Sequence, residues 1–106
     1  MREFFASALL FASATLANAQ TYTNWAQIAK ISGSWTLDTM AVFHASNFVN
    51  VGCDVTGGGY ATEPNDPGHD LFHTLIMATF LNKKEVRFRL EGCAFGKPRI
   101  TKVSLR

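Results

Sequence analysis

The spacing of apolar positions in residues 20–106 predicts three strands, one helix and two further strands. Runs rich in β-branched and aromatic residues at 25–30 and 34–44, with a Ser-Gly pair between them, indicate two strands joined by a turn. A third strand is predicted at 48–56, where three consecutive glycines end the apolar run. The first half of this region is therefore predicted to be β-structure.

A single helix is predicted from Pro67 to Leu81. Asp66 is expected to accept hydrogen bonds from first-turn N–H groups, and proline suits the first helical position. The apolar pattern assigns six residues to a wide core face: Leu71, Phe72, Leu75, Ile76, Ala78 and Phe80. Met77 and Leu81 are apolar outside that face, so the helix is expected either to be covered on a second side by its own chain or to meet a partner chain. Met77 and Leu81 are therefore the predicted oligomer-interface residues.

Two strands follow the helix. Apolar and charged residues alternate from residue 86 to 91, the pattern of a half-buried strand. In the last strand, 99–106, Ile100 is out of phase with Val103, which predicts a bulge near Thr101. The order β-β-β-α-β-β is that of an OB-fold, so the chain is predicted to be mainly β with one helix, as a five-stranded OB-fold-like Greek-key barrel.

The first nineteen residues have the layout of a secretory signal peptide. A charged start at 1–3 precedes an apolar run at 4–16, and Ala-Asn-Ala follows before Gln20. The apolar run is too short to span a bilayer. The mature protein is therefore expected to be residues 20–106, a single domain in a secreted or periplasmic location with no membrane span.

Cys53 and Cys93 are the only cysteines of the chain. In an exported protein an even pair indicates a disulfide, and two cysteines allow only one intramolecular pairing. A reduced pair or two metal-binding thiols are the alternatives, but neither suits an oxidising compartment and the chain has no CxxC spacing. A Cys53–Cys93 disulfide is therefore predicted.

Charge is divided unevenly along the mature region. Residues 20–82 carry a net charge of −4, and residues 83–106 carry a net charge of +6. A basic C-terminal third could attract an anionic partner such as phosphate, a sulfated or sialylated glycan, or a membrane surface. The alternative is that these charges form the solvated faces of two strands. Nucleic acid is not an expected partner, because the chain has no aromatic-basic binding signature.

No set of residues indicates an enzyme. His69 and His73 lie four residues apart and resemble a zinc motif with aspartate in place of glutamate, but no third ligand is apparent beyond His44. They are interpreted as partly exposed residues at the helix start, with a metal-dependent hydrolase as the lesser alternative. The serines lack a nucleophile-elbow context, and bridged cysteines offer no thiolate. No catalytic residue, metal or cofactor is predicted.

Phe95 and Lys97 are the predicted ligand-binding residues. Phe95 lies in a glycine-bounded loop beside Cys93, where burial of its ring is hard to arrange. An aromatic ring stacks on the apolar face of a sugar, and a nearby ammonium group donates hydrogen bonds. This loop is therefore a candidate site for a carbohydrate.

Residues 70–105 resemble the end of the B subunits of bacterial AB5 toxins, and most closely the cholera-like enterotoxin B chains. The shared pattern is a long helix, the strand EVRFRLEGC ending in a half-cystine, the aromatic- and lysine-bearing loop AFGKP, and the strand RITKVSL. This chain has Phe95 where the family has tryptophan. The resemblance implies an OB-fold, a pentameric ring with helices around a central pore, and binding of host-cell glycans.

The predicted function is that of a non-enzymatic exported protein that binds glycans or another cell-surface receptor as a homo-oligomer. The alternative is a monomeric secreted or periplasmic protein-interaction module, such as an inhibitor or an envelope partner. That module would use the basic strand face of Arg87, Arg89 and Lys102.

Overall fold

The computed structural model describes residues 21–34 and 37–106, which form six strands and one helix. The strands are β1 (Thr21–Tyr22), β2 (Ile28–Gly33), β3 (Met40–His44), β4 (Tyr60–Ala61), β5 (Val86–Ala94) and β6 (Lys97–Leu105), and the helix is α1 (His69–Leu81). The prediction of a mainly β protein with one helix is confirmed. The predicted signal peptide, residues 1–19, lies outside the described residues.

The six strands form one mixed sheet in the order β1-β5-β6-β4-β3-β2. Neighbouring strands are antiparallel, except that β4 and β6 run parallel where Ala61 pairs with Arg99. β1 and β2 are the two edges, so this sheet is not closed and the predicted five-stranded barrel is not confirmed. The strand that was not predicted is β1, which pairs with β5. Directly after β1, the Thr23 hydroxyl accepts the Phe88 N–H at 3.1 Å.

The predicted third strand at 48–56 is wrong, because side chains hold this segment in turns. The Asn50 side-chain oxygen accepts the N–H groups of Gly52 and Cys53 at 3.0 and 2.9 Å, in competition with a strand ladder. The Tyr60 hydroxyl accepts the Val49 N–H at 2.9 Å. Apolar residues of this loop still pack against the core. The predicted third strand is instead missing from this segment, and the short β4 follows it at Tyr60–Ala61.

The first hairpin turns later than predicted. β2 extends to Gly33 and β3 begins at Met40, and these two residues pair with each other. Ile31 pairs with Val42 on β3. Because cross-strand pairs of apolar side chains stabilise a sheet, this pair favours the extension of β2 beyond residue 30. The turn therefore follows the Ser-Gly pair instead of being formed by it.

α1 starts two residues later than predicted. Gly68 precedes the first helical residue, and no side-chain hydrogen bond caps the N-terminus of the helix. The Asp66 carboxylate lies 3.6 Å from Nε of Arg99 on β6, while its backbone carbonyl accepts the His69 N–H at 3.2 Å. The predicted capping role of Asp66 is thus wrong, because its side chain faces a cation on the sheet. The helix ends at Leu81, as predicted.

The β5–β6 hairpin follows the predicted pattern. Alternate residues from Val86 to Leu90 are buried. Arg89 pairs with Lys102 and the next residue, Leu90, pairs with Ile100, so the register passes over Thr101 and the predicted bulge is confirmed. The buried core of the protein combines residues from both halves of the chain: Ile28, Val42, Tyr60, Ile76, Val86, Phe88, Leu90 and Ile100. In the described part of the chain, no helix has the length and apolar character to cross a membrane.

Candidate functional site

The tip of the β5–β6 hairpin is a two-residue turn formed by Phe95 and Gly96. Ala94 pairs with Lys97, so the loop predicted around Phe95 is shorter than the sequence indicated. Both turn residues have positive φ, 54° for Phe95 and 79° for Gly96, as a type I′ hairpin turn requires. A bulky residue in this conformation costs about 1 kcal/mol or more, and such strain is concentrated at functional sites.

Two links fasten this tip to the loop that follows β3. Cys53 and Cys93 form the predicted disulfide, with Cα atoms 5.8 Å apart. The Val55 N–H donates to the Gly96 carbonyl at 2.8 Å. A methyl group added at Gly96 would lie 3.1 Å from the Val55 side chain, so the loop packs closely against the turn. The tip is therefore held by this loop at two points.

An open cavity of about 200 Å³ lies beside the tip, and both predicted ligand-binding residues, Phe95 and Lys97, line it. The remaining lining residues come from β2, β3, β4 and the β2–β3 loop: Ser32, Gly33, Ser34, Leu37, Thr39, Ala41 and Ala61. The sequence contained no signal for these residues, because only the order β6-β4-β3-β2 brings them next to the hairpin.

The cavity combines an apolar surface with a few polar groups. The Phe95 residue is 46% exposed. Lys97 is half-buried and forms no ion pair with any carboxylate in the described residues. Ser32 and Thr39, which carry hydroxyl groups, are among the lining residues. The Thr39 hydroxyl donates to the Thr62 carbonyl, so it can only accept a hydrogen bond from a ligand. A small ligand with one apolar face and several hydroxyl or acidic groups would match this arrangement.

The histidine pair lies apart from this cavity, at the start of α1. His69 and His73 are partly exposed, with side-chain exposures of 16% and 19%, and Asp38 of the β2–β3 loop faces both. The hydrogen bond between Asp38 and His69 lowers the pKa of Asp38 and raises the pKa of His69. Burial lowers the pKa of His73. His44 was the third possible ligand in the sequence, but its Nε2 atom lies 2.8 Å from the Val86 carbonyl oxygen.

The outward face of α1 carries several exposed apolar residues. Met77 and Leu81, the predicted interface residues, are 40% and 68% exposed. Leu71 and Phe80 were assigned to the core face by the apolar pattern, but they are 60% and 36% exposed. The exposed apolar surface of the helix is therefore larger than the sequence pattern indicated.

The basic strand face is partly engaged within the sheet. The Arg87 guanidinium lies 4.4 Å from the centre of the Tyr22 ring. Arg89 donates from Nε to the Thr101 hydroxyl at 2.9 Å. Lys102, which pairs with Arg89 across the strands, is exposed. Two of the three cations thus hold neighbouring residues of the same sheet.

Comparison with known proteins adds no family to these observations. Neither a protein-family model, nor a curated protein sequence, nor a solved structure matches the chain. The geometry of the site is therefore the observation that bears on function.

Proposed function

We propose that the protein is a non-enzymatic exported protein that recognises glycans on a cell surface through the cavity at the β5–β6 tip. One observation carries the proposal: Phe95 and Lys97 line a single cavity with the hydroxyl-bearing residues Ser32 and Thr39. The combination of an exposed ring, an ammonium group and hydroxyls is complementary to a sugar, which has an apolar face and polar edges.

Each lining group has a distinct task in this proposal. The Phe95 ring packs against the C–H face of one sugar residue. The Lys97 ammonium has three donor hydrogens, which bind sugar hydroxyls or the carboxylate of an acidic sugar. Because the disulfide and the Val55–Gly96 hydrogen bond already hold the tip, little conformational entropy is lost when a ligand binds.

An OB-fold-like barrel is also part of the proposal, and residues 21–33 support it. β1 in this segment pairs with β5, while β2 in the same segment pairs with β3. Between them, Ala26 forms a bridge to Val86, the first residue of β5. One continuous segment therefore pairs with β5 near one end of the sheet and with β3 near the other end. A five-stranded barrel needs a connection of this kind in order to close.

We propose that the protein assembles as a homo-oligomer through Met77 and Leu81, and the pentamer implied by the toxin resemblance is the expected form. The molar mass of the oxidised protein, measured by light scattering after size exclusion, tests this. A stable pentamer that becomes monomeric in the double variant Met77→Lys/Leu81→Lys supports the assembly. A monomer at high concentration contradicts it without removing the glycan cavity.

Glycan binding is tested with an immobilised panel of neutral, sialylated and sulfated glycans. Phe95→Ala and Lys97→Ala should each abolish capture while leaving the circular dichroism spectrum unchanged. Tyr22→Ala and Lys102→Ala are matched controls, since they remove an exposed ring and an exposed lysine outside the cavity. Capture retained by both cavity variants contradicts the site.

The same panel separates this proposal from the monomeric interaction module. Capture that depends on Arg87 and Lys102, and that is lost steeply as salt is added, would place binding on the basic strand face. Capture that depends on ring stacking at Phe95 should retain a large part of its strength at high salt, because stacking is not screened by ions.

A further inference from the structure

Three potential metal ligands, from Asp38, His69 and Asp70, meet between the β2–β3 loop and the first turn of α1. His73 lies beside Asp38. The Nε2 atom of His69 lies 2.8 Å from Oδ2 of Asp38 and 3.2 Å from Oδ1 of Asp70. The Nδ1 atom of His73 lies 3.8 Å from Oδ1 of Asp38. One ligand atom from each of Asp38, His69 and Asp70 lies within 4.8 Å of the others. Two carboxylates therefore converge on one imidazole nitrogen, which can donate only one hydrogen bond.

The far nitrogen of each imidazole is held by the protein. Nδ1 of His69 lies 3.3 Å from the Asp66 carbonyl oxygen. Nε2 of His73 lies 2.6 Å from the Thr62 hydroxyl, which is buried and also accepts the Met40 N–H at 3.0 Å. A metal ion would displace the near-side protons, including the one that His69 donates to Asp38, while the far nitrogens keep theirs. Metal-binding histidines are oriented in this way by groups behind them.

The spacing of the ligand atoms also suits a tetrahedral metal ion. Metal–nitrogen and metal–oxygen bonds of about 2.0–2.2 Å place neighbouring ligand atoms about 3.3–3.6 Å apart. The three separations between imidazole nitrogens and carboxylate oxygens, 2.8, 3.2 and 3.8 Å, lie on both sides of this range. Side-chain rotations of the exposed Asp38 and Asp70 would bring their oxygens into this range around His69. His73, which lies outside that group of three, would have to move toward it to provide the fourth ligand.

We propose that Asp38, His69, Asp70 and His73 bind one divalent transition-metal ion, with Zn²⁺ as the best match. Two imidazoles favour a transition metal over Ca²⁺ or Mg²⁺, which prefer ligand sets made of oxygen atoms. Two carboxylates balance the charge of the ion. The ion joins the β2–β3 loop to the start of α1, and its binding does not depend on the glycan proposal.

The test is a calorimetric titration of Zn²⁺ into the untagged, oxidised protein. One ion should bind per chain, and Asp38→Asn and His69→Gln should each weaken binding by about tenfold or more. His44→Gln and Asp54→Asn are matched controls outside the cluster and should bind Zn²⁺ as the wild type does. Asp38 is 66% exposed at its side chain, so its variant should fold normally.

A second readout uses Co²⁺ in place of Zn²⁺. The visible absorption of tetrahedral Co²⁺ should develop with one equivalent of metal and be absent in the double variant His69→Gln/His73→Gln. The proposal is overturned if the wild type shows no saturable binding of one ion. It is equally overturned if His44→Gln weakens binding as much as His69→Gln does.

Discussion

Cys53 and Cys93 connect the loop after β3 to β5 at a point two residues before Phe95. The sequence separation of the two cysteines is 40 residues. The disulfide thus joins a segment that has no strand ladder of its own to the longest hairpin of the protein. Together with the Val55–Gly96 hydrogen bond, it sets the position of the aromatic ring beside the cavity.

Removal of the disulfide should destabilise the protein substantially. The double variant Cys53→Ala/Cys93→Ala leaves no free thiol, and closing a loop of this length is worth roughly 4 kcal/mol in the chain-entropy account. We expect a loss of about 2–4 kcal/mol in the free energy of unfolding, measured by urea denaturation under identical conditions. A loss below about 1 kcal/mol would show that the loop is held by its other contacts.

Tyr60→Phe should destabilise the protein by about 1–3 kcal/mol, because it leaves the Val49 N–H without its acceptor. Tyr60 is 1% exposed, and its hydroxyl accepts that N–H at 2.9 Å. Urea denaturation gives the change, and hydrogen exchange at the Val49 amide should accelerate beyond the global effect. An unchanged stability would mean that water or another group replaces the hydroxyl.

Phe95→Asn separates the role of the ring from the role of the turn. Asparagine tolerates positive φ and precedes glycine in the preferred type I′ turn, so the variant should be as stable as the wild type or more stable by up to about 1 kcal/mol. Glycan capture should nevertheless be lost. A destabilisation above about 1 kcal/mol would show that the ring supports the fold instead of a ligand.

His44 should make the protein sensitive to mild acid. The groups that contact it are the Ser46 hydroxyl, the Val86 carbonyl, the Ala26 backbone and the Phe88 ring, and none is charged. Burial lowers the pKa of His44, so on acidification the unfolded chain binds a proton first, near its ordinary pKa of about 6.5. The stabilising contribution is therefore complete above that pH and is lost as the pH falls through the folded-state pKa.

The matching variant for this effect is His44→Gln, which keeps a donor for the Val86 carbonyl. Between about pH 7.5 and about pH 5, its free energy of unfolding should fall less than that of the wild type. His69 and His73 titrate in both proteins, so the difference between the two pH profiles isolates His44. An identical pH dependence of the free energy of unfolding in the two proteins would contradict the acid sensitivity assigned to His44.

Elements with strong local signals were predictable from sequence. The alternation from Val86 to Leu90 and the phase slip at Ile100 predicted both the strand and the bulge. The cysteine count predicted the disulfide. Each of these features depends on a pattern confined to a few residues or on a pairing with only one solution.

Features that depend on distant side chains were not predictable in the same way. Hydrogen bonds to the Asn50 and Tyr60 side chains hold the predicted third strand in a loop conformation. The Asp66 carboxylate lies next to Arg99 and does not cap the helix. The cavity walls and Asp38 had no sequence signal, because their role depends on the sheet order. The chemistry of Phe95 and Lys97 was visible in sequence, but their shared cavity was not.

The most direct test of the central claim is a map of amide chemical shifts in the oxidised, isotope-labelled protein. Soluble neutral, sialylated and sulfated oligosaccharides would be added in turn at millimolar concentration. If the tip binds glycans, at least one oligosaccharide should cause saturable shifts at Phe95, Gly96, Lys97 and the neighbouring Ser32 and Thr39. The absence of shifts with every oligosaccharide, or shifts centred on Arg87 and Lys102, would contradict glycan recognition at the β5–β6 tip.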